Sequence, residues 1–189
     1  TGFDLAPYFN PANLEFRGVT RAQYLQTSKL PEGLYRLCIE VVEYNRNVVV
    51  SNTGCANAWL VLNDPPLVNV PANADKIRIL NPQNIIFQWT PRHTGSPNAA
   101  FRTEYECTLV ELWPATRNPN DAILSSPPIL KETASSTTFI YGPSETPLVA
   151  GRHYAFRVQA KSISGISQLD LFKNNGYSQV ITFQYGDPC

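Results

Sequence analysis

A chain of 189 residues with 15 basic and 15 acidic side chains carries no formal net charge, with 43% hydrophobic and only 16% charged residues. That length holds one large domain or two of sandwich size, and the apolar share is ample for a core, which excludes a disordered chain. The cancelled charge, without long runs of either sign, excludes nucleic acid or a membrane surface held by bulk electrostatics. No apolar run reaches membrane-spanning length. Sixteen prolines and ten glycines suit short strands joined by turns.

Residues 1–13 are turn-rich and break at Asn10-Pro11. Residues 14–18 and 23–27 read as short strands. In residues 30–41 a turn glycine, Gly33, leads into alternation: Tyr35, Leu37, Ile39 and Val41 on one face, Arg36, Cys38 and Glu40 on the other. Cys38 therefore lies off the apolar face and is expected to pin the 45–54 hairpin region through Cys55. Residues 56–62, with Trp59, form the returning strand. Residues 1–63 hold too few strands for a whole sandwich and read as the last part of a β-unit whose first strands lie elsewhere.

Residues 64–71, with Pro65, Pro66 and Pro71, read as a semi-rigid linker. Beyond it, 77–80 and 84–90 are expected as strands A and B, with Ile86 and Trp89 in the core, and 103–113 as strand C. Residues 115–128 are a Pro/Asn-rich excursion, and 137–141 are strand E. Gly151 opens a strand with Tyr154, Phe156, Val158 and Ala160 on one face and His153, Ala155, Arg157, Gln159 and Lys161 on the other. With Trp89 ahead of it, this reads as strand F of an immunoglobulin-like sandwich, where a tyrosine near the strand start braces the corner. A loop over 163–175, an Asn175-Gly176 turn signal and strand G at 177–185 complete it. The fold class is thus all-β: a fibronectin type III-like sandwich over 72–189, preceded by a partial β-sandwich unit. Residues 30–41 and 148–160 resemble each other, each with a leucine and a glycine shortly before a tyrosine-led strand.

Four cysteines, Cys38, Cys55, Cys107 and Cys189, lack CxxC spacing and have only two histidines for company, which argues against zinc. Two disulfides are expected, Cys38–Cys55 and Cys107–Cys189, and with them an oxidising compartment. The sequence has no methionine and nothing at its start resembles a signal peptide, so a mature or truncated piece of an exported protein is expected.

Catalytic signals are weak. His93 and His153 read as ordinary surface or loop histidines, and no G-x-S-x-G elbow accompanies the serines. Glu104 and Glu106 share a strand face but read as solvated acids rather than a glycosidase pair. The oxygen-rich segments 118–121 and 170–175 do not match a calcium loop, and turn chemistry explains them. No cofactor and no metal are implied. Aromatic residues are the better lead: Trp113, Phe172 and Tyr177 are candidate partner-binding residues, since rings give large contact area at little entropy cost.

The strings LPEGLYRLCIEV, SNTGCANAWLVLNDPPLVNVP, NIIFQWTPRH, GRHYAFRVQA and LFKNNGYSQVITFQYGDPC resemble the TANFOR domain of large exported proteins of the Bacteroidetes, and the likeness spans nearly the whole chain. The resemblance implies an exported or cell-surface protein carried by the type 9 secretion route. It supplies no catalytic residues. The expected function is a non-enzymatic scaffold or adhesion module meeting a protein partner on the bacterial surface or outer membrane. The alternative is a carbohydrate-binding module that lays exposed aromatics against a glycan.

Overall fold

Alternating side chains and frequent turn residues dictate strands, and the chain is all-β, with two short α-helices among the described residues. The computed structural model describes residues 10–27, 29–95, 102–163 and 171–186. It divides into two compact units, Thr1–Val61 and Leu62–Cys189.

The first unit begins, among its described residues, with a 3-10 turn at Pro11–Asn13 capped by the Asn10 side chain. Arg21–Thr27 is then a helix, α1, where a strand over 23–27 was expected. The reason is a capping box. The Gln23 amide donates to Thr20 Oγ1 at 3.2 Å, and the Thr20 amide donates to Gln23 Oε1 at 3.0 Å. Residues 14–18 form no strand.

Strands β1 (Gly33–Ile39) and β4 (Gly54–Leu60) form an antiparallel ribbon, and β2 (Val42–Glu43) with β3 (Val48–Val49) makes a small hairpin between them. Cys38 lies directly opposite Cys55 in register, and the two are disulfide-bonded as expected. No described residue of this unit is buried. Trp59 on the returning strand is 66% exposed, and among the described residues no second layer covers the ribbon. A two-stranded ribbon is marginal alone, so the bond across it should carry much of its order. Its sequence separation of 17 corresponds to about 3 kcal/mol of loop-closure stabilisation. Reduction is expected to strip amide-exchange protection from β1 and β4 and leave the second unit unchanged. Undiminished protection in β1 would show that the ladder stands without the bond.

The second unit is a sandwich. One sheet has the order β10-β7-β5, with β5 at Leu67–Val70, β7 at Ile85–Thr90 and β10 at Thr138–Tyr141. The other has the order β6-β12-β11-β8-β9, from β6 (Asp75–Ile77), β8 (Thr103–Glu111), β9 (Leu130–Ala134), β11 (Arg152–Ser162) and β12 (Ile181–Tyr185). All pairings are antiparallel except β12 with β6.

The expected linker is part of this sandwich. Its residues supply β5, an edge strand on β7, with a register shift between Val68 and Val70. An edge position tolerates flanking prolines because amides that face away from the sheet are not needed. Just before it, Asn63 is buried, and its amide and Nδ2 both donate to the Leu171 carbonyl, at 2.8 and 2.9 Å.

Rows from both sheets meet in one core. Ile85, Phe87, Trp89 and Tyr141 face Tyr105, Leu109, Tyr154, Phe156, Val158, Ile181 and Phe183. Phe87 stacks on Phe156 with centroids 4.1 Å apart. Trp89 belongs to this core as expected, but Ile86 points outward, since β7 buries its odd positions. The Tyr154 hydroxyl accepts the Val149 amide at 2.8 Å, the tyrosine brace at the corner before β11.

Cys107 has a free, buried thiol, and its register opposite Val158 turns it to the sandwich interior with Tyr105 and Leu109. The partner expected for it, Cys189, lies outside the described residues. The excursion 115–128 contains a helix, α2 (Pro119–Ser125), that buries Ala122 and Ile123 against Val110, Leu112 and Ala155 on the outer face of the larger sheet.

Candidate binding clefts

The inward face of the larger sheet runs past the end of the core, and that creates the first cleft. Glu111 lies two positions beyond buried Leu109, and Arg152 two positions before buried Tyr154. Both emerge into solvent beside Trp113. Arg152 Nη1 meets Glu111 Oε1 at 3.0 Å, and its guanidinium sits 4.8 Å from the centre of the Trp113 ring. The indole remains 66% exposed. A carboxylate thus fixes a cation, and the cation holds an aromatic ring at the rim. Arg117 closes the other side, donating to the hydroxyls of Ser126 at 3.0 Å and Ser125 at 2.7 Å. The cleft has a volume of about 500 Å³, and Pro127 and Ile129 complete its walls. The sequence offered Trp113 as a partner-binding ring but gave no sign of Arg152 beside it, because the contact crosses from β8 to β11.

The second cleft, about 510 Å³, lies beside Tyr177 between β5 and the approach to β12. Arg157 covers the Tyr177 ring at 3.9 Å. The other cations are committed locally: Arg92 Nε donates to the Pro65 carbonyl at 2.8 Å, and Lys173 pairs with Asp64 at 3.3 Å. Tyr177 is half-buried. Phe172, expected with it as a partner-binding ring, is only 1% exposed. The chain turns it inward at a bridge between Phe172 and Asn63, and the His93 ring meets it edge-on at 5.6 Å. It is a core residue.

The remaining candidates are placed as follows. His93 lies in the loop after β7 but is buried there, 3.2 Å from Thr103 Oγ1, and burial lowers its pKa. His153 sits on the outward face of β11, opposite Gln184. The two histidines therefore lie on different faces of the fold. Glu106 is clamped by Lys161 at 2.6 Å and Lys131 at 3.7 Å, which makes it an ion-pair member of a strand face. In 118–121 the Asn118 side chain accepts the Asn120 amide at 2.9 Å and Pro119 starts α2, so these oxygens cap a helix. In the other segment residue 170 lies outside the described residues, while Asn174 and Asn175 are left-handed turn residues. Among the described residues, no group of three or more His, Cys, Asp or Glu is placed to hold a metal ion.

Burial also sets the pH response. The Cys107 thiol is pushed up from 9.0 to about 12 by desolvation and then by Glu106. Tyr141 rises to about 12 by desolvation, then by Glu145 and Tyr154. Both acids ionise more readily unfolded than folded. Their contribution is therefore complete below about pH 9 and is lost as pH rises toward 12. His93 works at the other end. Its lowered pKa gives a contribution present above 6.5 and lost as pH falls through its folded value. Urea midpoints should be flat near neutrality and fall on both sides. A thiol reagent at mildly alkaline pH should label the Cys107 peptide only as fast as the sandwich unfolds; rapid labelling in the native state would contradict this burial.

No protein-family model matches the chain, and no curated protein matches it. Fold and clefts therefore define the chain by themselves: an all-β protein whose second unit is a sandwich with an aromatic cleft at its rim. Among the described residues no helix is long and apolar enough to cross a membrane.

Proposed function

We propose that the chain is a non-enzymatic structural and protein-interaction module of a large exported bacterial surface protein, acting as scaffold or adhesion element. The observation that carries this reading is Trp113, an exposed indole already braced by Arg152 and Glu111. Tryptophan and arginine dominate the energetically decisive positions of protein interfaces, and a ring held in place costs little ordering entropy on binding.

Other observations support the setting. Strand β9 pairs with β8, in the sheet of β11 and β12, rather than beside β10. This departs from the constant-type immunoglobulin order and favours the fibronectin type III reading. The Cys38–Cys55 bond favours an oxidising, extracytoplasmic compartment. The resemblance to TANFOR proteins favours the Bacteroidetes surface and the type 9 route. The glycan alternative asks for two rings on one exposed face. The Trp113 cleft supplies one ring, and Phe172 is buried.

Affinity capture from envelope extracts of the source organism, compared with a glycan array, tests the proposal. Wild-type protein should retain a stoichiometric protein partner. Trp113→Ala should weaken that partner by about 2 kcal/mol or more, roughly 30-fold, and change stability by less than about 0.5 kcal/mol. Equal retention by the variant, or glycan binding with no protein partner, would contradict it.

A further inference from the structure

The ribbon of the first unit is a strand pair without its neighbours. Leu37 and Ile39 on β1 and Val41 just after it are exposed, and no described residue of the unit is buried. Strand β1 pairs only with β4, so its other edge presents a row of unpaired backbone groups among the described residues.

The second unit contains a counterpart that shows what such an edge receives. Both β1 and β11 have a glycine at or just before their first residue and, as their third residue, a tyrosine that ties back to the preceding loop. The Tyr35 hydroxyl donates to the Pro31 carbonyl at 2.8 Å, and the Tyr154 hydroxyl accepts the Val149 amide at 2.8 Å. Strand β11 has β12 on one edge and antiparallel β8 on the other. The open edge of β1 corresponds to the one that β8 fills.

We propose that this edge is filled by β1 of a second copy of the chain, antiparallel and related by a two-fold axis at Cys38. The residues of β1 and the two that follow it, Glu40 and Val41, are self-complementary in that register. Arg36 falls opposite Glu40 of the other copy, twice by symmetry, Leu37 opposite Ile39, and Tyr35 opposite Val41. A shift by one residue sets Leu37 against Glu40 and mixes the apolar and polar faces. A shift by two keeps the faces but separates Arg36 from Glu40. Of these three registers, the one centred on Cys38 satisfies charge and face together. Glu40 is already held at the strand's end, where its Oε1 accepts the Thr53 hydroxyl at 2.5 Å. No hydrogen bond or ion pair engages Arg36 among the described residues.

Sedimentation velocity over a micromolar to submillimolar range, with the charges reversed singly and together, tests the pairing. Wild type should dimerise with concentration. Arg36→Glu and Glu40→Arg should each weaken the dimer about tenfold or more by setting like charges opposite one another. The double reversal should restore it to within a few-fold. Edge-facing amides of β1 should gain exchange protection in step with dimer formation, and protection of the amides that pair β1 with β4 monitors folding of the ribbon in every variant. A wild type that stays monomeric overturns the proposal and leaves the edge to a strand of another polypeptide. Single reversals that dimerise like wild type also overturn it, because the contact then lies elsewhere.

Discussion

Replacing Phe156 with alanine is expected to destabilise the second unit by about 3–5 kcal/mol, the range for deleting a fully buried aromatic ring. Phe156 is completely buried and stacks on Phe87 across the two sheets. Its removal leaves a cavity between layers that backbone pairing on both sides of β11 prevents from collapsing. Total stabilities of such domains lie near 5–15 kcal/mol, so the loss is a large share. The urea midpoint should fall with little change in slope. Ile140→Ala, on the exposed outer face of the smaller sheet, should stay within about 0.5 kcal/mol. Comparable losses at the two positions would contradict the assignment of faces.

Gly176→Ala is expected to cost on the order of 3 kcal/mol or more. Two causes add. The residue has φ +78°, a left-handed conformation that costs an L side chain roughly 1–2 kcal/mol. An added Cβ would also lie 2.3 Å from the Ala160 carbonyl oxygen, a backbone atom of β11 that cannot swing away. Asn174 and Asn175 are left-handed as well, at φ 49° and 51°, so the turn depends on three consecutive unusual residues. This turn delivers Tyr177 under Arg157 and Ser178 against β11, where its hydroxyl accepts the Val158 amide at 3.1 Å. The variant should therefore disturb the Tyr177 cleft as well as stability. Gly142→Ala is the control: nothing lies within 4 Å of its added Cβ, and the change should be neutral or mildly stabilising. Equal stability of the Gly176 and Gly142 variants would show that the turn rearranges at little cost.

Strand positions were legible where one face is apolar and the other polar. Residues Tyr154, Phe156, Val158 and Ala160 alternate cleanly, and they are the inward row of β11. The same alternation failed to orient 84–90, where Ile85, Ile86 and Phe87 form a continuous apolar run and only the opposing sheet decides that Ile86 faces out. The prolines of 64–71 signalled a spacer, yet at a sheet edge a missing amide costs nothing, and β5 forms there. Helix α1 was signalled by Thr20 and Gln23 as a capping box, but apolar spacing alone does not reveal it. Of the partner-binding rings, Trp113 is exposed, Tyr177 is half-covered and Phe172 is internal. An aromatic in a loop carries no periodicity to tell its direction. The Arg152–Glu111 brace is a contact between strands distant in sequence, visible only once β8 and β11 are paired.

The central claim is that the Trp113 rim meets a protein partner, and site-specific photocrosslinking in cells of the source organism tests it most directly. A photoreactive phenylalanine analogue at position 113 should give a discrete protein adduct. The same group at position 140, exposed on the outer face of the smaller sheet, should give none. No adduct at 113, or the same adduct from both positions, would contradict the account.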